Sequence, residues 1–471
     1  MKTTLFTCLL ALCVACAAPR RERLKDVAEV TDVDFKLDDA EKQLVTGSNQ
    51  FGIRLFQAMV QAHPDSSMVF SPMGVVYSLN MLNNGTDGET LAEICKALGY
   101  GEGDLQRVNE LNRTFIIAQR KQIKTELEQT RDYMHTANLL AVMGTDAVKH
   151  SFKNVLACNY FAENISAFDT DYLQRSINRW IGEQTEGQIK QIPLKLSPDV
   201  QVCLVNAIVF RARWAEPFEP EFTKKAPFYC ADGRIDSVWM MSGYDRENTF
   251  KGMSNNTCSA LRMPYKGQFY ITMVLPNKGY SVAGLLKSLN VQMFGMIEKG
   301  LHDYNEFYVH IPRITLKTSV ALKPFLSRVG IKQAFSQQAN LSNMSIKPLK
   351  LDDVVQQTEF KLDEEGTSAV SGSFMQVTSL SACINPTEFH FTANRPFLYY
   401  ISDGFGNVCF IGQYCGGKRC GRRWQTEVLD HEKRGCVCTL GNGKYKLDVP
   451  PSFAQCAFKS LAATPYTPYY I

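Results

Sequence analysis

Two pairs of adjacent carboxylates, Asp352–Asp353 and Glu364–Glu365, are the groups in this chain that could in principle share a proton as general acid and base. Neighbours on a strand point to opposite faces, however, so neither pair is expected to converge on one site. A serine nucleophile on an elbow needs G-x-S-x-G, a zinc hydrolase needs H-E-x-x-H, and a phosphate cradle needs G-x-x-x-x-G-K-[ST]; none of the three patterns occurs. The seven histidines are thinly spread, and His150, His302, His310 and His390 read as surface or capping residues rather than bases. Nothing in these patterns demands a cofactor, and a hydrolase reading has no motif to stand on.

Of the 15 cysteines, three lie before residue 17, and the remaining ones are scattered except for Cys415, Cys420, Cys436 and Cys438. The spacing of that group matches no strong zinc pattern, so it reads as disulfides or free thiols and not as a metal site. Six cations, Arg107, Arg113, Arg120, Lys121, Lys124 and Arg131, follow one long helical pattern, with Arg113 to Arg120 and Lys124 to Arg131 at heptad-like spacing. They could form a weak stripe for a polyanion, but a solvated helix face laced with Glu126 and Glu128 is the favoured reading. The net charge of +4 over 471 residues gives no reason to expect nucleic acid or a membrane surface as partner.

The elements that would position any site belong to a globular chain, 45% hydrophobic and 11% aromatic, with a large core to bury. Residues 1–17 have a Lys, an apolar run and small residues at Ala15 and Ala17, the pattern of an export signal; a bacterial lipid-anchor site at Cys16 is the alternative. Residues 18–43 are charged and aperiodic, a flexible lead-in. From 44 to 412 no linker interrupts, and helical spacing at 51–62 and 103–129 alternates with β-rich runs at 201–214, 268–276 and 306–316. The expected class is therefore α+β, one domain with large sheets. Residues 413–471 form a tail with nine Lys or Arg against four Asp or Glu.

One stretch resists this division into core and surface. From Gly366 to Thr387 there is no Lys, Arg, Asp, Glu or His, although the chain is 21% charged. Its Gly, Ser and Pro content reads as an exposed loop, whereas its alternation of small and larger residues reads as a strand. An uncharged strand-former left at a surface invites pairing with other chains, so its presence needs a reason.

The segment FTANRPFLYYISDGFGNVCFIG, residues 391–412, closely resembles the C-terminal signature of the serpin family, with Asn394, Arg395, Pro396 and Phe397 in place. VFSPMGVVYSLNMLNNGTDGET, SINRWIGEQTEGQIKQI, LVNAIVFRARWAEPF, LRMPYKGQFYITMVLP, LKPFLSRVGIKQAF and EFKLDEEGTSAV resemble further serpin blocks in family order. The resemblance implies a large central sheet, two further sheets, about eight to nine helices and an exposed reactive loop at about residues 364–386. It implies no enzyme but a monomeric inhibitor of extracellular serine proteases. The loop is cut as a substrate and then inserts into the central sheet while the protease is still acylated. The hinge would be Glu364, Glu365, Gly366, Thr367, Ser368 and Ala369. Insertion would turn Thr367, Ala369, Ser371, Ser373 and Met375 inward, all uncharged, so no ion is buried.

Family spacing places the reactive bond between Leu380 and Ser381, with Thr378–Ser379 or a bond beside Ala382 still open. An apolar Leu380 implies chymotrypsin-, elastase- or subtilisin-like targets, with a cysteine protease as a further option. A non-inhibitory binding or carrier member of the family is the alternative. The residues that gate sheet opening map to Ser71, Asn206 and Trp214, but Gly74 stands where a second serine is usual and Gln356 where a histidine is usual. The tail after Gly412 has no counterpart in the family, and the Gly412-Gln413-Tyr414 ending is closer to its bacterial members.

Overall fold

A computed structural model describes residues 36–120, 133–144, 148–367 apart from short gaps at 188, 190, 192–195, 197–199, 248, 289–290 and 353, then 388–416 and the strands at 437–440 and 443–446. Among these residues lie nine α-helices: α1 Asp39–Ala62, α2 Pro72–Asn83, α3 Gly88–Leu98, α4 Leu105–Arg120, α5 His150–Tyr160, α6 Thr170–Gln184, α7 Val282–Ser288, α8 Val291–Gly300 and α9 Lys323–Arg328. The strands in chain order are β1 Met68–Phe70, β2 Tyr133–Met143, β3 Glu163–Ala167, β4 Val202–Arg213, β5 Lys224–Tyr229, β6 Ile235–Asp245, β7 Lys251–Ser254, β8 Cys258–Pro264 and β9 Tyr270–Pro276. They continue with β10 Glu306–Pro312, β11 Ile314–Ala321, β12 Val354–Leu362, β13 Gly366–Thr367, β14 Glu388–Thr392, β15 Phe397–Ser402, β16 Val408–Tyr414, β17 Val437–Leu440 and β18 Gly443–Lys446.

Three large sheets result, in the strand orders β11-β12-β13-β4-β2-β3, β1-β16-β15-β9-β8-β7 and β14-β10-β6-β5. The pair β17–β18 forms an antiparallel ribbon inside a separate compact unit, Arg422–Ile471. The α+β expectation and the three-sheet architecture therefore hold. No helix among the described residues is long and apolar enough to cross a membrane.

The first sheet carries helices on both faces because alternate residues of its strands are apolar on both. On one face Cys203, Val205 and Ala207 of β4 and Leu139 of β2 meet Leu173, Ile177, Trp180 and Ile181 of α6. On the other face β4 turns Asn206 and Ile208 toward Gly74 of α2. Every residue of α2 is buried, as expected of a helix with little polarity on any side. Ser71 caps it by accepting from the Gly74 amide, and Pro72 occupies the first turn, where its missing N–H costs nothing.

Three elements differ from the sequence reading. Helix α1 begins at Asp39, inside the expected lead-in, because Asp38 and Glu41 form a reciprocal capping box. The run 306–316, expected as one strand, breaks at Arg313 into β10 and β11, which belong to different sheets. The pattern at 103–129 becomes a short 3₁₀ turn followed by α4, and residues 121–129 lie outside the described residues.

Candidate functional site

At one end of the central sheet, β4 and β12 lie side by side as parallel neighbours over four pairs, Val354↔Leu204 to Gln357↔Ala207. At the other end they are held apart by β13, where Thr367 pairs with Leu362 of β12 and with Ala212 of β4. The chain leaves β12 at Leu362, turns through the three residues Asp363, Glu364 and Glu365, and re-enters the same sheet at Gly366. Only glycine fits at the re-entry: Gly366 has φ 150°, and a Cβ there would overlap the Ala212 carbonyl oxygen and stand 2.7 Å from Arg213 Cα.

Trp214, at the end of β4, holds this turn. Its amide donates to the Glu365 carbonyl at 2.8 Å and its indole Nε1 donates to the Asp363 carbonyl at 2.9 Å. The Phe218 amide takes the Glu364 carbonyl at 2.8 Å, and the Asp363 amide donates to the Gly366 carbonyl at 2.9 Å. Beneath the indole, Tyr265 is stacked at 4.4 Å and 9°, and its hydroxyl lies 2.8 Å from that of Thr367. Thr367 is only 2% exposed, with its one side-chain polar atom satisfied.

The carboxylate pair of the hinge does not act as a pair. Glu364 is buried and takes hydrogen bonds from Arg313 Nε at 2.8 and 2.9 Å, from an Arg313 terminal nitrogen at 2.6 Å, and from the Thr223 hydroxyl. Burial raises the Glu364 pKa, but the hydrogen bonds from Arg313 and Thr223 outweigh it and hold the carboxyl below its ordinary value. The backbone amide of Glu365 instead bonds Asp363. Of the other acidic pair, Asp352 accepts from the Gln201 amide and pairs with Lys350, while Asp353 lies outside the described residues.

Where β4 and β12 touch, the residues expected to gate sheet opening fall into two hydrogen-bonded groups, Ser71 with Gln356 and Asn206 with Asn138. Gln356 Oε1 accepts from the Ser71 amide at 2.8 Å, and Gln356 Nε2 donates to the Ser71 carbonyl at 2.9 Å. The Ser71 hydroxyl donates to the Cys409 carbonyl at 2.6 Å. Asn206 Nδ2 donates to Asn138 Oδ1 at 2.8 Å. Gly74 sits close beneath these side chains: a Cβ would overlap Asn206 Oδ1 and stand 2.6 Å from Ile208 Cδ1 and 3.0 Å from Gln356 Nε2, so any larger residue must push those tips aside. The glycine and the glutamine thus fit one another: Gln356 binds both backbone groups of Ser71, and Gly74 leaves the room.

The signature residues anchor the far end of the loop. The Asn394 carbonyl accepts from Tyr229 at 2.8 Å, Arg395 donates twice to the Pro276 carbonyl at 3.0 and 2.8 Å, and Phe397 is fully buried at the start of β15. Pro396 lies between Arg395 and the start of β15. The structure therefore gathers Glu364, Glu365, Gly366, Thr367 and Trp214 at one end of the strand seam and Ser71, Gly74, Asn206 and Gln356 further along it. Ser368, Ala369, Leu380 and Ser381 lie outside the described residues, as do Lys121, Lys124 and Arg131. Of the α4 cations, Arg107 pairs with Asp38, and Arg113 lies over the Phe161 ring and bonds the Cys158 carbonyl, which favours the solvated-face reading. Sequence reasoning missed Arg313 and Thr223, which carry no motif, and gave Tyr265 no role although it lies in the LRMPYKGQFYITMVLP block; Pro312 was the one local sign that Arg313 is placed specially.

Comparison with known proteins bears on this geometry. The family described as "Serpin (serine protease inhibitor)" matches residues 46–416. Plasma serine protease inhibitor of Bos taurus is 26% identical over 424 residues, covering 88% of this chain and 99% of that protein. Among solved structures, the thermophilic serpin tengpin in the native state superposes with a TM-score of 0.71 at 23% identity, over 82% of this chain and 96% of that one. Thyroxine-binding globulin complexed with thyroxine gives a TM-score of 0.69 at 21% identity, over 79% and 99%. The chain belongs to the serpin family.

Proposed function

We propose that the protein inhibits serine-type endopeptidases as a suicide substrate, and the observation that carries this reading is β13. Two residues of the hinge already sit as a strand between β4 and β12. Cleavage of the loop beyond them frees one end, and the freed segment continues β13 by separating the four pairs that still join β4 to β12. The backbone amides and carbonyls exposed by that separation find partners on the incoming strand, and the uncharged side chains after Thr367 enter without burying an ion. If the protease is still joined to the loop as an acyl-enzyme, it is carried along and its catalytic groups are pulled out of register. The reactive bond is Leu380–Ser381, which suits enzymes with an apolar primary pocket of the chymotrypsin, elastase or subtilisin type. The chain acts as a monomer outside the cytoplasm, released after Ala17 or anchored through Cys16.

The binding or carrier reading has one observation in its favour, the Gln356–Ser71 clamp, which ties β12 to the N-terminus of α2 and adds hydrogen bonds that a shift of β12 must disturb. Mixing the protein with chymotrypsin or elastase and running a denaturing gel separates the two. A covalent complex supports inhibition; only cleaved protein supports the carrier. Thr367 is already buried in β13 before cleavage, so the charge is placed at the next inward position of the alternation: Ala369→Arg is expected to turn the inhibitor into a plain substrate. Undiminished inhibition by that variant would contradict the insertion mechanism.

A further inference from the structure

The hairpin β5–β6 is apolar on its solvent side. Tyr229, Ile235 and Trp239 point outward from it, 49%, 65% and 47% exposed, with Tyr229 opposite Ile235 and Lys225 opposite Trp239. Single exposed apolar residues are ordinary, but three on one face of two paired strands make a patch of the kind that marks an interaction surface. Two cations flank the indole, Lys225 Nζ at 5.4 Å and Arg313 Cζ at 5.7 Å from the ring centroid. An aromatic anchor among cations is the composition of an interface hot spot rather than of a rim.

Position decides what covers it. Arg313 is the ion-pair partner of Glu364, so the patch borders the hinge where the loop departs. The chain returns at Glu388, the first residue of β14, which is a strand of the same four-stranded sheet. Between Thr367 and Glu388 lie only residues 368–387. Fully extended out and back, that length reaches at most about 35 Å from its anchors. An endopeptidase of about 240 residues is roughly 45 Å across. The far end of the loop is held by the sheet that carries the patch and its near end leaves the central sheet beside Glu364 and Arg313, so an enzyme seated on the loop has its flank brought against the patch.

We propose that the outward face of β5–β6 is a second docking surface for the endopeptidase that attacks the loop. This rests on the inhibitory reading above and deepens it by naming a partner chemistry. The complementary surface is an apolar side chain beside the protease cleft, rimmed by a carboxylate that faces Lys225, since Arg313 is already paired with Glu364. Docking there raises the rate of encounter without changing the fate of the acyl-enzyme, because none of the patch residues lies in the strand seam.

The test measures the association rate and the stoichiometry of inhibition for wild type, Ile235→Ser and Trp239→Ala with chymotrypsin, pancreatic elastase and subtilisin. Ile235 touches neither Arg313 nor the hinge in the contacts described above, so it separates docking from any effect on Glu364. The expected result is about a tenfold slower association in both variants with at least one enzyme, at unchanged stoichiometry, and a wild-type rate that falls with added salt. Unchanged rates in both variants with all three enzymes overturn the proposal. So does a wild-type dimer that Ile235→Ser dissociates, since the face would then be covered by a second copy. If wild type forms no covalent complex, the inhibitory reading fails on its own. Docking is then judged from the affinity for the same enzymes with the nucleophilic serine replaced by alanine. A fall of about tenfold in both variants upholds it, and equal or absent binding overturns it.

Discussion

The Tyr265 hydroxyl lies 2.8 Å from the Thr367 hydroxyl, and both residues are buried. The first inward-facing residue of the hinge is thereby fastened to the core under Trp214 rather than left at the rim. Replacing Tyr265 with Phe keeps the ring stacked on Trp214 but leaves the Thr367 hydroxyl buried without a partner, at a cost of about 1–3 kcal/mol. The expected outcome is a lower denaturation midpoint for the uncleaved protein, read by tryptophan fluorescence in urea.

Gly366→Ala is expected to expel β13. Its methyl has nowhere to go between the Ala212 carbonyl and Arg213, and its φ lies where side chains are strained. Limited proteolysis should therefore cut this variant at Glu364–Thr367 far faster than wild type. Equal resistance would show that the re-entry into the sheet is not populated.

Gly74→Ser, the substitution toward the usual family residue, is expected to destabilise the intact protein by about 1–3 kcal/mol through overpacking against Asn206 and Ile208. The cost should change when Gln356→His is made in the same chain, because Gln356 Nε2 is one of the three atoms nearest the added group. Thermal melting of the two single variants and the double variant measures that coupling; strict additivity would contradict it.

Acid is expected to loosen the hinge. The Glu364 pKa is held below its ordinary value of 4.5 in the folded chain, so its contribution to stability is complete above that value and is lost as pH falls through the lower folded pKa. His310 acts in an earlier window: burial and then His390 depress its pKa below 6.5, so the fold resists its protonation and loses stability as pH drops beneath that value. Hinge proteolysis followed from pH 7 to 3 should rise in the last part of this range. Glu364→Gln should abolish that late rise and leave the earlier change in melting, which His310→Gln should remove.

Much of this fold could be read from residue patterns that are local. Ser71-Pro72 announces the start of α2 and β4 is an unbroken β-rich run. What escaped reading was long-range. Arg313 and Glu364 are 51 positions apart, and Tyr265 and Thr367 are 102 apart, so no window of sequence contains either pair. The departures at Gly74 and Gln356 looked like two separate losses because their compensation is steric and crosses from a helix to a strand. The start of α1 was missed for the opposite reason: its capping box lies in a stretch whose charges outweighed its apolar periodicity.

Four rungs of parallel ladder are a shallow fastening between β4 and β12, and they ask of a newcomer only an uncharged, alternating peptide. A seam with so undemanding a lock does not distinguish the molecule's own strand from one offered by a neighbour. Warming a concentrated solution is therefore expected to link chains head to tail, each feeding a strand to the next, which a ladder of bands on a native gel would reveal.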